Sequence, residues 1–244
     1  MKNLLKRNKW IGIICLLLCG IYSCQNDDYL IDGGTSSPYF DGNVMEFLES
    51  RPDLFKDMVT VIKYADMESL LSDEEVTFFA PTDFSIEKSI ERLNEYLYRY
   101  GKDKITDLRQ VKPEVWKDLL SMYVMKGKYR MNDIAQIDTT ALSAFPGQTN
   151  FTYYRNYKMT MGVVYGDAGG IKYAGARQVM YIYPSNGFRL TSYVSTCNIE
   201  PLNGIVHVIR LDHYLGFIPS SLLQKAIEEG IDYDWNKNLN AKKE

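Results

Sequence analysis

The sequence predicts one α+β domain behind a short leader, and three observations carry that prediction. Apolar residues recur at helical spacing between residues 43 and 120, they fall into strand-like runs from 158 to 209, and the two patterns are largely segregated along the chain. At 244 residues, 45% apolar, 24% charged and with a net charge of −3, the composition is that of a globular protein of one or two domains. It lies outside the disordered class. No stretch approaches the roughly 20 apolar residues of a spanning helix, which excludes a multi-span membrane protein. A pI of 5.6 argues against a nucleic-acid partner.

Taken in order, Asn43 with Glu46 three residues on reads as a capping box ahead of Val44, Phe47 and Leu48. Pro52 opens a second helix carrying Leu54, Phe55, Met58, Val59 and Ile62 on one side. Asp66 to Leu71 is a further turn, ended by an acidic loop at Asp73-Glu74-Glu75. Val76 to Ala80 is a buried-strand candidate stopped by Pro81. Ile86, Ile90, Leu93, Leu97 and Tyr100 mark the next helix, with Gly101 as its stop, and Pro113 starts another through Trp116 and Leu120. Beyond Gly127 the segments Lys158–Tyr165, Arg177–Tyr183, Phe188–Val194 and Ile205–Ile209 read as strands separated by Gly-, Pro- and Asn-rich turns. A short helix from Ser221 to Glu229 precedes a polar tail.

The start of the chain reads as an address. Lys2, Lys6, Arg7 and Lys9 precede an apolar run from Trp10 to Tyr22, a length that suits a secretory signal and is short for a membrane span. Ile21-Tyr22-Ser23-Cys24 resembles the lipobox of bacterial lipoproteins, in which cleavage leaves an acylated cysteine. The expected organisation is a lipoprotein signal peptide at 1–23, a flexible tether at 24–40, the folded domain at 41–218, and a helix with a polar tail at 219–244. Cys24 is the expected lipidation site, and several acyl chains on one residue anchor stably where one is marginal. Cleavage leaves Cys24 and Cys197, so an acylated Cys24 leaves Cys197 without a disulfide partner in the chain. Asp27-Asp28 resembles the surface-export signal of Bacteroidota lipoproteins, which places the protein on the outer membrane facing the exterior.

Three segments resemble the fasciclin domain family. Val76-Thr77-Phe78-Phe79-Ala80-Pro81-Thr82-Asp83 is similar to its first signature, and Asn203-Gly204-Ile205-Val206-His207-Val208-Ile209 to its second. Leu119-Leu120-Ser121-Met122-Tyr123-Val124 stands where the family has Leu-Leu-x-Tyr-His-Val. The resemblance implies a wedge-like β-sandwich of short strands with helices along one edge, and a non-catalytic role in adhesion. The reading Met122-Tyr123 departs from the family's Tyr-His, so the integrin binding of some animal members is not carried over. The residues supply their own reasons for the motifs. Asp83 or Thr82 is placed to cap the helix that follows. Asn203-Gly204 offers a tight turn with positive φ. Both signature strands are expected to be buried on both faces.

No catalytic, metal or cofactor set emerges. His207 and His213 lack the spacing of a metal pair, and His207 reads as a hydrogen-bonded core residue. Eight tyrosines lie between 153 and 193, and Tyr181 and Tyr183 share a strand face, which makes them the candidate partner-binding pair. Asp138-Thr139-Thr140 resembles the O-glycosylation acceptor of Bacteroidota, with Thr139 as the modified residue. The expected function is a lipid-anchored adhesion protein whose ligand is an extracellular protein or polysaccharide, requiring no cofactor. The alternative is an accessory glycan-binding lipoprotein, which a cluster of solvent-facing tyrosines around a concave surface would favour, whereas a flat apolar patch would favour protein adhesion.

Overall fold

Helix α1 (Val44–Glu49) starts as its sequence requires: the Asn43 side chain accepts from the Glu46 amide at 2.9 Å, and the Glu46 carboxylate accepts from the Asn43 amide at 2.8 Å. The computed structural model describes residues 37–185 and 187–233; the leader, Cys24 and the tail from 234 lie outside the described residues. The elements described belong to the unit that begins at Pro38. Helix α2 (Pro52–Tyr64) breaks at Phe55, where φ is −133°. The amides of Lys56 to Met58 stand just past this break and, as at a helix start, call for an acceptor.

Asp83 supplies it. Its carboxylate accepts from the Met58 amide at 2.9 Å and faces those of Asp57 and Lys56. The expectation that Asp83 or Thr82 caps the following helix is therefore corrected: Asp83 is the first residue of α4 (Asp83–Arg99), but it caps α2, and Thr82 makes no side-chain cap bond. An anion at a helix N-terminus is favourable for either helix, and the kink in α2 leaves the needier set of donors.

Helix α3 (Glu68–Asp73) leads into β1 (Val76–Ala80), and α5 (Pro113–Leu120) leads through a 3₁₀ turn at Ser121–Tyr123 into β2 (Val124–Lys126). The remaining strands are β3 (Gln148–Phe151), β4 (Lys158–Tyr165), β5 (Arg177–Ser185), β6 (Phe188–Ile199) and β7 (Gly204–Ile209). They form one seven-stranded sheet in the order β2-β1-β7-β6-β5-β4-β3, with β1 and β7 parallel and the other pairs antiparallel. The sheet curls until its two edges nearly meet: Met125 bridges Thr152, and the Tyr153 amide donates to the Val124 carbonyl at 2.8 Å. Register shifts in β6 between Val194 and Ile199 supply bend where it crosses from β5 to β7. The expected sandwich of short strands is thus the two layers of a single curled, almost closed sheet. Sequence periodicity missed β2 and β3, the first for its three residues and the second for a polar edge-strand composition, Gln-Thr-Asn-Phe.

Every residue of β1 and β7 is buried, as both-face burial requires. Helix α6 (Ser221–Glu229) lies against α4 and α5 through the buried Leu222 and Ala226, and the Lys225 ammonium sits 3.0 Å from the nearly buried Asp118 carboxylate. At the other end Tyr39 bridges Glu200, and the Phe40 amide donates to the Glu200 carbonyl at 3.0 Å, so the end of the expected tether is paired with the domain.

Asn203 and Gly204 act differently from the expected turn, since neither has a positive φ. The Asn203 side chain accepts from the Val44 amide at 2.8 Å and donates to the carbonyls of Leu71 and Glu74, each at 2.9 Å. It fastens the start of α1 to the end of α3. Gly204 is needed for close approach: a Cβ there would lie 2.6 Å from both the Val44 side chain and the Val76 carbonyl oxygen. Asn203→Ala is expected to lower stability by about 2–3 kcal/mol, at roughly 1 kcal/mol for each lost bond. Asn203→Asp, which keeps the acceptor and loses both donors, should not restore it. Urea midpoints of the three proteins check this; an unchanged midpoint in Asn203→Ala would remove the clamp from the account.

Candidate functional site

The strand pair β4–β5 decides which tyrosines reach the surface. Side chains alternate along β5: Val179 and Tyr181 point into the main core, while Met180 and Ile182 point outward into a separate small cluster with Ile137. Tyr181 is 0% exposed. Its ring stacks on Phe79 at 3.9 Å, and its hydroxyl donates to the Met122 carbonyl at 2.5 Å. Tyr183 is half-buried on the same face, with Tyr157 at 6.2 Å and Phe217 at 5.9 Å. The candidate pair is therefore corrected: Tyr181 is a core residue and Tyr183 packs at the core margin, because both share the inward face.

The histidines are interior. His207 Nε2 lies 2.8 Å from the Tyr129 carbonyl oxygen, as a core histidine should. His213 joins a second buried network, with Nε2 at 2.6 Å from the Tyr123 hydroxyl and Nδ1 at 2.9 Å from the Ser192 hydroxyl. Burial pulls His207 down to about 4 and, with a smaller contribution from Lys88, His213 down to about 3, so both imidazoles are neutral at physiological pH. Cys197 is half-buried, and burial pushes its thiol up, away from the reactive thiolate. Among the described residues no group of three or more His, Cys, Asp or Glu is placed to hold a metal ion.

The outward face of β4, β5 and β6 carries a concave site. The segment 135–137 is tied to β4 by the Ile137 amide donating to the Val163 carbonyl and the Val163 amide to the Ala135 carbonyl, each at 2.9 Å. Gly162 permits this, because a Cβ there would fall 2.4 Å from Ile137. Between the turn at Asp138–Thr140 and the β4–β5 connection lies a cleft of about 350 Å³. Ile137, Val164 and Met180 provide apolar lining, Tyr173 and Tyr193 aromatic lining, and Asp138, Asp167 and Lys172 charge, while Tyr165 borders the cleft with its ring on the inward face beside Val163.

The polar groups are held in place. The Asp138 carboxylate accepts from the Thr140 amide and hydroxyl at 2.8 and 2.7 Å and from the Tyr173 hydroxyl at 2.8 Å. These donors, the Thr140 hydroxyl foremost, hold its pKa down to about 2, so it is ionised throughout the physiological range. Tyr173 adopts a left-handed φ of 62°, unusual for a side chain of its size. Its amide donates to Asp167 at 2.9 Å, and its ring meets Phe145 edge-on at 5.4 Å. Thr139 is exposed on the rim of this cleft. Sequence reasoning found the Asp138-Thr139-Thr140 turn and did not single out Tyr173 and Tyr193. The alternation that placed Tyr181 with Tyr183 could have flagged Tyr193 through its buried neighbour Val194, but only with knowledge of which face is inward.

The sequence model of the fasciclin domain family matches residues 53–211, from the first turn of α2 to just past β7. The chain belongs to the fasciclin domain family. No curated protein matches it. Fasciclin domains are in general non-catalytic adhesion domains, and membership assigns this one an adhesion or binding role. The matched span includes the whole cleft; α1 and α6 lie outside it and pack on the same domain.

Proposed function

We propose that this fasciclin domain protein is a lipid-anchored, non-catalytic adhesion protein of the outer membrane, with its domain facing the cell exterior and its ligand an extracellular protein or polysaccharide. The observation that carries the reading is the fasciclin match beginning 29 residues after a cysteine preceded by a basic and apolar leader. A binding domain needs a tether at the surface, and an acylated Cys24 supplies it without a spanning helix. The test is incorporation of alkyne-palmitate in cells expressing wild type or Cys24→Ala, followed by membrane fractionation and protease shaving of intact cells. Loss of label and membrane association in Cys24→Ala is expected; equal labelling would remove the anchor. The intact mass of the purified protein, with and without Thr139→Ala, reports whether the exposed Thr139 carries a glycan.

Saccharide capture is the second reading, and one observation favours it. The half-buried tyrosines Tyr173 and Tyr193 border a concave site with fixed polar groups rather than a flat apolar patch.

A further inference from the structure

We infer that the cleft between the Asp138–Thr140 turn and the β4–β5 connection binds a short saccharide without acidic groups, such as the exposed end of a neutral or amino-sugar glycan. This deepens the saccharide reading above and rests on it. Sugars present apolar C–H faces and a ring of hydroxyl donors, and the cleft offers the complement of each. Tyr193 and Tyr173 supply aromatic surface beside Val164, over a floor formed by the buried Ile137 and Met180.

The hydroxyl acceptors are carboxylates with capacity to spare. An ionised carboxylate has about four acceptor positions, and Asp138 uses three, two on Oδ1 and one on Oδ2. Asp167 accepts the Tyr173 amide on Oδ1. Lys172 brings the donor side of the exchange. Two carboxylates against one ammonium leave the lining acidic, which disfavours a uronic or sialic acid and suits neutral or aminated rings. Size selects as well. A cleft of about 350 Å³ lies near the lower end of the ~300–1,000 Å³ found for small-ligand sites, so it takes a chain end rather than a long polymer. A protein partner of ordinary affinity covers about 800 Å² on each side, far more than this depression presents. Because Tyr173 is held at both its amide and its hydroxyl, little ordering remains for binding to impose.

The test uses the full-length protein in detergent micelles, titrated with chitotriose, maltotriose and trigalacturonic acid and followed by calorimetry and tyrosine fluorescence. Tyr193→Ala and Asp167→Ala remove lining groups, and Thr139→Trp fills the cleft from an exposed position without deleting a core contact. Circular dichroism and thermal melts establish that each variant is folded. Binding of at least one neutral trisaccharide is expected, weakened tenfold or more in each variant, with trigalacturonic acid bound at least tenfold more weakly. Absence of saccharide binding to wild type, equal binding by all three folded variants, or preference for the acidic sugar each overturns the assignment. A matrix-protein array run in parallel separates the two failures. With no saccharide bound, protein binding unchanged by Thr139→Trp would sink the cleft proposal and leave adhesion standing, whereas no binding in either assay would count against both.

Discussion

Truncating Tyr181 to alanine is expected to cost the fold about 3–5 kcal/mol, the range for deleting a large buried aromatic side chain. The ring is fully buried, stacked on Phe79 and within 6.4 Å of Tyr123 and 5.8 Å of Phe217, so little collapse can fill the space. That loss is a large share of the ~5–15 kcal/mol that holds a typical domain folded. Tyr181→Phe separates the two contributions. It keeps the stack and strips the hydroxyl from the Met122 carbonyl, for an expected loss of about 1–2 kcal/mol. Urea unfolding measures both. A Tyr181→Ala protein with wild-type stability would mean the ring is not part of the core, and would return it to the candidate ligand surface.

Acid is expected to weaken the domain from about pH 6.5 downward, before most carboxylates titrate. His207 and His213 are held near 4 and 3 in the folded chain, against an ordinary value near 6.5 once unfolded. Above pH 6.5 neither state takes up a proton, and the full stability is present. Between pH 6.5 and about 4 only the unfolded chain binds protons at these two sites, so stability falls as pH falls. Each group contributes about 1.4 kcal/mol per pH unit, or roughly 5 kcal/mol for the pair from pH 6 to 4. Asp83 works in the opposite direction, since burial raises its pKa and protonation there favours the folded state. It is one group against two. Urea midpoints at pH 7, 5.5 and 4.5 check the slope, and His213→Gln should roughly halve it whatever it does to stability at pH 7. A midpoint flat across that range would show that the buried imidazoles accept protons without unfolding.

The helices were legible because their signals are local. Asn43 and Glu46 form the expected capping box, Pro52 and Pro113 stand in the first turns of α2 and α5, and Gly101 follows α4 with a φ of 63°. The same holds for the long strands and for the burial of β1 and β7, where apolar residues on both faces, interrupted only by Thr77 and His207, leave no solvent face. The family was legible because its two signatures are these two paired strands. Where the reading failed, the missing information lay across the chain. Asp83 caps a helix whose recipient amide is 25 residues away, and Asn203 holds an amide 159 residues away. The tyrosine site failed for a smaller reason: a strand's alternation tells that Tyr181 and Tyr183 share a face without telling which face is inward.

By itself, then, the sequence determined the kinds of element, their order, the strands with no solvent face and the family. These follow from backbone periods of 2 and 3.6 residues and from caps that act within four residues. Only the tertiary structure decided that the sheet curls nearly shut, that Tyr181 is enclosed, and that Tyr173 and Tyr193 meet Asp138 around one cleft. Curvature, burial and convergence depend on how distant segments pack, and packing is a property of the whole chain rather than of any window along it.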